Sequence, residues 1–324
     1  MEFLPIVLVE TAIAFALTWV ATPWLAQYLK RWRITGRDVH KKDKPERAEM
    51  GGIAVLVGFY PATLLALFLA ESSRERLSAA VLTIVVVSII GLSDYLFKLR
   101  QSQKTFMLMV ASLPLVWEFQ QVNTILFPML GTISFGYFYP IILIPLALTT
   151  ASNFTNMLAG FNGLEVGAGA IALITVSLSA AILNRLDVLL VTVPMCAGLL
   201  AFLRYNWYPA QVFPGDVGTL LIGATVTTAA VMGRMEVICM VTLFPHAIDF
   251  TLKMLTRSPF SHRRIYGDTQ ILASGHLRPP SYPALTHALM LMNPLNEPQL
   301  VKKILTIEAL YCAIAIIITI ITKY

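Results

Sequence analysis

The sequence predicts an all-α polytopic membrane protein in which residues 1–324 form one domain. Hydrophobic residues make up 57% of the chain and charged residues only 13%. That charged fraction is about half of what an ordinary soluble domain carries. The mean hydropathy is +0.72, and the apolar residues occur in long runs, as membrane-spanning helices require.

Ten runs are long enough to be predicted as membrane helices. They lie at residues 3–29, 51–70, 78–97, 105–121, 138–157, 165–184, 187–203, 216–233, 236–256 and 303–322. The first run is longer than the core of a signal peptide and has no basic segment before it, so we interpret it as a membrane helix. The three cysteines lie within apolar runs, and their odd number does not indicate a disulfide framework.

Basic residues predict the orientation of the chain. Nineteen of the 24 Lys and Arg residues fall in loops on one side, mainly at 30–50 and in a long hydrophilic loop at 257–302. The positive-inside rule then places this side in the cytoplasm and both termini outside. Such a face also attracts anionic lipid headgroups, and the sequence contains no nucleic-acid-binding module.

Several polar residues collect at this same predicted face, at the ends of apolar runs: Asp94, Asn153, Asn156, Asn162 and Asp216. Polar groups at membrane helix ends are costly unless they have a partner or a function. Structural roles remain open for each of them, because Asn residues cap helix ends and Lys98 is close enough in sequence to neutralise Asp94. Asp216 follows Pro-Gly and precedes a long apolar run, which is typical of an N-cap.

One chemistry would use all of these residues. Asp and Asn oxygens can hold Mg²⁺ when substrate phosphates and water complete the coordination, and Mg²⁺ with basic side chains can neutralise a diphosphate. Most charges of the first cytoplasmic loop (residues 36–52) are expected to be solvated, whereas Asp43, Lys44 and Glu49 could reach a headgroup phosphate or a ligand. The long loop contains His262, Arg263 and Arg264 in succession, and adjacent arginines can bind phosphate oxygens in pairs.

Four motifs carry a family resemblance. They are NMLAGFNGLE (156–165), NWYPAQVFPGD (206–216), GLSDYLFKLRQSQK (91–104) and FSHRR (260–264). With these motifs, the chain resembles the polyprenyl-phosphate N-acetylhexosamine-1-phosphate transferases. It is most similar to the archaeal and eukaryotic branch, which uses UDP-N-acetylglucosamine and dolichyl phosphate. The resemblance extends over nearly the whole chain, and the family also has ten helices.

The resemblance implies a role for each matching position. Asn156 and Asp216 match the magnesium ligands, and Asn162 matches the residue that meets the uridine. Lys104 matches a lysine at the diphosphate, His262 and Arg263 match residues at the diphosphate and the N-acetyl sugar, and Asp94 matches the first of two aspartates. We therefore predict Asp94, Lys104 and Asp216 as catalytic residues. Lys44, Glu49 and Arg264 join the predicted substrate-binding set. The chain departs from the family at Tyr95, where the second aspartate would stand, and tyrosine carries no charge at neutral pH.

The resulting expectation is an enzyme that transfers N-acetylglucosamine-1-phosphate from UDP to a polyprenyl phosphate, with Mg²⁺ or Mn²⁺ as cofactor. This would be the first step of lipid-linked glycan assembly. The enzyme would lie in the cell membrane of an archaeon or in the endoplasmic reticulum membrane of a eukaryote, in contact with membrane lipids. The assembly that we consider for it is a homodimer. Two alternatives remain: a non-catalytic homologue that binds lipid phosphate or nucleotide-sugar, suggested by Tyr95, and a transporter, which the one-sided polar cluster disfavours.

Overall fold

The computed structural model describes residues 3–128, 130–256, 269–280 and 283–323, and most of these residues are helical. The described α-helices, in chain order, are α1 (Leu4–Arg31), α2 (Gly52–Leu69), α3 (Arg74–Phe97), α4 (Gln101–Ala111), α5 (Leu113–Glu118), α6 (Ile144–Met157), α7 (Leu164–Ile182), α8 (Leu189–Asn206), α9 (Gly215–Gly233), α10 (Glu236–Thr242), α11 (Phe244–Thr256), α12 (Leu285–Met292) and α13 (Glu297–Lys323). A five-residue π-helix, Tyr139–Leu143, leads directly into α6. The all-α class predicted from the sequence is confirmed.

Strands occur in the described chain only as three antiparallel hairpins: β1 (Thr35–Arg37) with β2 (Glu46–Ala48), β3 (Thr124–Phe127) with β4 (Gly131–Ser134), and β5 (Gln270–Ile271) with β6 (Leu277–Arg278). The first hairpin is attached to the segment that precedes α9. Ala48 forms a bridge with Val212, and the Phe213 N–H donates to the Ala48 carbonyl at 2.8 Å. The loop between α1 and α2 is therefore fixed against the start of α9.

Seven described helices are long and apolar enough to cross a membrane, which confirms the membrane class: 4–31, 52–69, 71–97, 164–182, 186–206, 215–233 and 297–323. Helices α10 and α11 count as an eighth span if they are taken together, although they are bent by 64°. Pro245 follows this bend and has no N–H to continue a helix. The predicted span 105–121 is interrupted at Ser112, between α4 and α5. In the predicted span 138–157, the first turn is a π-helix that continues into α6. The count of ten spans stays a prediction.

The last helix begins at Glu297, six residues before the span predicted at 303–322. Asn296 and Gln299 explain this early start, because each side-chain oxygen accepts the backbone N–H of the other residue, at 3.0 and 3.1 Å. This reciprocal arrangement is a capping box. The predicted loop at 257–302 therefore contains α12 and the first turn of α13 as well as the β5–β6 hairpin.

Helix α9 lies at the centre of the bundle. In its most apolar stretch 89% of the residues are buried, compared with 22% in α1 and 28% in α13. Its side chains pack with those of α3, α6, α7 and α10. Since Asp216 is in the first turn of α9, this carboxylate stands at one end of the most buried helix.

Two glycines let neighbouring helices approach α9 closely. A Cβ on Gly91 of α3 would lie 2.8 Å from the Cα of Val217, and a Cβ on Gly223 of α9 would lie 2.4 Å from the carbonyl of Ala151 in α6. Both distances are too short for any larger residue at these positions. The end of α3, the end of α6 and the start of α9 are consequently brought together.

Candidate active site

The three predicted catalytic residues meet at this end of the bundle. Asp94 is in the last turn of α3, Lys104 in the first turn of α4 and Asp216 in the first turn of α9. The Lys104 Nζ lies 2.8 Å from Asp94 Oδ2 and also contacts Asp216 Oδ2. The two carboxyl groups are themselves within hydrogen-bonding reach of each other. One buried ammonium thus bridges two acidic groups from different helices.

The charge of Lys104 is maintained by its neighbours. Burial alone would lower the pKa of this amine, because a charged group is poorly solvated in the protein interior. The carboxylates of Asp216 and Asp94 outweigh burial, so the pKa of Lys104 is raised above its usual value. Lys104 is therefore an ammonium at neutral pH.

Asn156, a predicted metal ligand, lies beside this cluster. Its Nδ2 donates to Thr219 Oγ1 at 2.8 Å, and its side chain also contacts the Asp216 carboxylate. Asn153 shares the same face of α6, but its amide is used in packing, since it accepts from Gln101 Nε2 at 2.8 Å and donates to the Thr149 carbonyl at 2.8 Å.

The donor set of this cluster suits a hard cation. Asp216 and Asn156 offer carboxylate and amide oxygens, and Mg²⁺ prefers oxygen ligands of this kind. A second group of possible ligands, Asp38, His40 and Glu297, has its ligand atoms within 4.8 Å of one another. In that group the Lys41 ammonium contacts the carboxylates of Asp38 and Glu297, as Lys104 contacts those of Asp94 and Asp216.

Asn162, predicted to meet the uridine, is buried in a second polar network. Its Oδ1 accepts the Ala210 N–H at 2.7 Å, and its Nδ2 donates to Asp38 Oδ2 at 3.2 Å. Its backbone N–H donates to Glu297 Oε1 at 2.8 Å. Lys41 completes the network, with its Nζ 3.3 Å from Asp38 Oδ2 and in contact with Glu297. The structure therefore surrounds Asn162 with protein groups, and its contact with uridine stays a prediction.

Sequence reasoning did not identify Asp38, Lys41 and Glu297 as parts of a site. Asp38 and Lys41 lie in the first loop, where most charges are expected to be solvated, yet Asp38 is only 2% exposed. Glu297 was placed in a loop, although it is the first residue of α13 and is 3% exposed. The Asn296–Gln299 pair was the one available signal, since it predicts a helix that begins between these residues.

The remaining predicted positions divide into two groups. Glu49 is half-buried near Asp216, and its pKa is raised by burial and by the negative charge of Asp216. Lys44 is exposed in the loop between β1 and β2. His262, Arg263 and Arg264 lie outside the described residues, so their placement is not addressed by the structure.

The fold and this site together define an integral membrane protein with a charged cluster built from the ends of its helices. The profile of glycosyl transferase family 4 matches residues 77–234, which contain Asp94, Lys104, Asn156 and Asp216. A protein of Saccharolobus solfataricus named "Putative UDP-N-acetylglucosamine--dolichyl-phosphate N-acetylglucosaminephosphotransferase" is 34% identical, over 96% of this chain and 96% of the relative. The chain belongs to glycosyl transferase family 4.

Two further relatives show how widely the likeness extends. The UDP-N-acetylglucosamine--dolichyl-phosphate N-acetylglucosaminephosphotransferase of Dictyostelium discoideum is 25% identical over 91% of this chain and 83% of its own length. A phospho-N-acetylmuramoyl-pentapeptide-transferase of a Thermoanaerobacter species is 27% identical over 72% of this chain and 77% of its own length. The family and these names identify the chain as a sugar-phosphate transferase, and they give no support to a non-catalytic homologue.

Proposed function

We propose that this protein transfers N-acetylglucosamine-1-phosphate from UDP-N-acetylglucosamine to a polyprenyl phosphate such as dolichyl phosphate, with UMP as the second product. The observation that carries the proposal is the Lys104 ammonium held between Asp94 and Asp216, with Asn156 alongside. Such a cluster provides the positive charge and the cation ligands that a diphosphate substrate needs. The names of the archaeal and Dictyostelium relatives support this pair of substrates.

In the proposed reaction an oxygen of the lipid phosphate attacks the phosphorus attached to the sugar. A new P–O bond forms there, and the bond from this phosphorus to the bridging oxygen of UMP breaks. Lys104 would donate hydrogen bonds to the phosphate oxygens while Asp94 keeps its ammonium in position. Catalysis would come mainly from positioning and from charge neutralisation, as in other phosphoryl transfers.

Asp216 and Asn156 are the residues that would hold Mg²⁺ or Mn²⁺. When bound, the metal ion supplies positive charge that offsets the charge of the diphosphate. Asp216 is well placed for this role because it starts the central helix and its carboxylate already contacts a cation, the Lys104 ammonium.

The orientation and the location are also part of the proposal. The basic loops would place the cluster at the cytoplasmic face, where nucleotide sugars are present. The acceptor phosphate would reach the cluster from the bilayer. The product would be a lipid-linked diphosphoryl sugar, the first intermediate of a surface or protein-linked glycan, made in the cell membrane of an archaeon or the endoplasmic reticulum of a eukaryote.

The test is UMP release by the purified protein with UDP-N-acetylglucosamine, dolichyl phosphate and Mg²⁺. We expect release only when the lipid acceptor is present, and we expect Asp216→Asn to abolish it. Glu71→Gln, which removes an exposed carboxylate from the turn before α3, is the control and should retain activity. Replacing the donor with UDP-N-acetylmuramoyl-pentapeptide tests the sugar, and faster UMP release with that donor would contradict the proposed specificity.

A further inference from the structure

Tyr95 stands at the position where the family resemblance implies a second aspartate beside Asp94. Tyr95 directly follows Asp94 in the last turn of α3, and its phenol supplies no negative charge at neutral pH. Another acidic group is present in the segment between β2 and α2, where Glu49 directly follows β2.

The backbone around Glu49 is fixed against the start of α9. The Glu49 N–H donates to the Ile34 carbonyl at 3.1 Å, and the Gly51 N–H donates to the Phe213 carbonyl at 2.8 Å. Gly215, at φ +64°, packs so tightly here that a Cβ would lie 3.0 Å from the backbone nitrogen of Met50. Glu49 is thereby held close to the residue that follows Gly215, which is Asp216.

The side chain of Glu49 lies over a space that a glycine leaves open. A Cβ on Gly36 would stand 3.1 Å from Glu49 Oε2 and 3.5 Å from Phe213 Cδ2. Burial and the negative charge of Asp216 raise the pKa of Glu49, and burial and the charge of Glu49 in turn raise the pKa of Tyr95. Together with the contacts at Gly215 and Gly51, this places Glu49 at the end of the bundle where α9 and Asp216 begin.

We propose that Glu49 provides the second carboxylate of the site in place of the one absent at Tyr95, and that its charge helps to hold the divalent cation beside Asp216. This inference rests on the proposed function. When ionised, Asp94, Asp216 and Glu49 carry two more negative charges than Lys104 can balance, which matches one divalent cation. Without Glu49 the excess is a single charge.

The direct test is Mn²⁺ affinity. Mn²⁺ is titrated into the full-length protein saturated with UDP, free Mn²⁺ is followed by electron paramagnetic resonance, and a protein-free UDP titration is subtracted. Glu49→Gln keeps the shape and removes the charge, and we expect it to weaken Mn²⁺ binding by about 10–100-fold, the range for groups that support a metal site. Glu46→Gln, on the exposed part of the same hairpin, is the matched control and should stay within about twofold of the wild type. Equal affinity in Glu49→Gln and wild type overturns the proposal.

A rescue experiment separates replacement of the missing carboxylate from a general effect of charge. Tyr95→Asp added to Glu49→Gln should bring Mn²⁺ affinity back to within about threefold of the wild type, because the second carboxylate returns to the site. The same Tyr95→Asp change in the otherwise unaltered chain should have a small effect, since Glu49 is already present. Absence of rescue, or a tenfold tightening by Tyr95→Asp alone, contradicts the inference.

These results are independent of turnover. A wild type that releases no UMP, but whose Mn²⁺ affinity falls in Glu49→Gln and recovers with Tyr95→Asp, would refute the proposed reaction and leave the role of Glu49 intact. Normal UMP release together with an unchanged Mn²⁺ affinity in Glu49→Gln would support the proposed reaction and refute the role of Glu49. Size-exclusion profiles of each variant in detergent establish that the compared proteins are folded.

Discussion

Replacing Lys104 with methionine removes the cation that holds the candidate site together. Methionine keeps most of the length of the side chain, so the packing around α4 changes little while the charge is lost. The carboxylates of Asp94 and Asp216 would then face each other in a partly buried space without a bridging ammonium. We expect a protein that is less stable than the wild type when no divalent cation is present.

The size of this effect follows from the geometry. Unit charges 2.8 Å apart, as between Lys104 Nζ and Asp94 Oδ2, attract by about 6 kcal/mol at an effective dielectric constant of about 20. Desolvation of the charged groups opposes this attraction. Removal of one partner from a buried ion pair typically costs about 3–5 kcal/mol, and we expect the unfolding free energy of Lys104→Met to fall by an amount in that range.

The assay is thermal unfolding in detergent with EDTA and with excess Mg²⁺. A divalent cation that binds near Asp216 can replace the missing positive charge, so Mg²⁺ should stabilise Lys104→Met more than it stabilises the wild type. Lys302→Met, which removes an exposed lysine from α13, is the control and should leave the melting temperature nearly unchanged. A Lys104→Met protein as stable as the wild type in EDTA would refute the reasoning, as would an equal effect of Mg²⁺ on both proteins.

Three further outcomes are expected in the UMP-release assay. EDTA should abolish turnover and Mg²⁺ or Mn²⁺ should restore it, because the candidate ligands are hard oxygen donors; full activity of Asp216→Ala would argue against this. Tyr95→Phe should be mild and Asp94→Asn severe, whereas an inert wild type beside an active Tyr95→Asp would show that the natural sequence is not an enzyme. Arg263→Ala should lower kcat/KM by roughly 2–4 kcal/mol, the scale of losing one charged donor, and unchanged kinetics would mean that this loop residue does not contact substrate.

Much of the candidate site was accessible from the sequence because it lies in short motifs at the ends of apolar runs. Asp94 and Lys104 are ten residues apart in one polar segment, and Asn156 ends another apolar run. Apolar runs of this length predict membrane helices whatever their partners are. The family motifs then indicate which of the polar residues have a predicted function.

The partners of these residues could not be found in the same way. Lys104 and Asp216 are separated by 112 residues, and helical periodicity describes only the face of one helix at a time. Which helix ends meet was decided by packing around α9, where Gly91 and Gly223 allow close approach. The sequence contains these glycines but does not indicate which backbone they face.

By itself, the sequence determined the membrane class, most of the spans and the set of polar residues at one end of them, because hydropathy and motifs are local properties. Only the tertiary structure decided that Asp38, Lys41 and Glu297 surround Asn162, and that the segment containing Glu49 is held against the start of α9. Buried charges must find partners wherever the fold brings them. Their pairing is consequently a property of the assembled bundle and of the loops packed on its end.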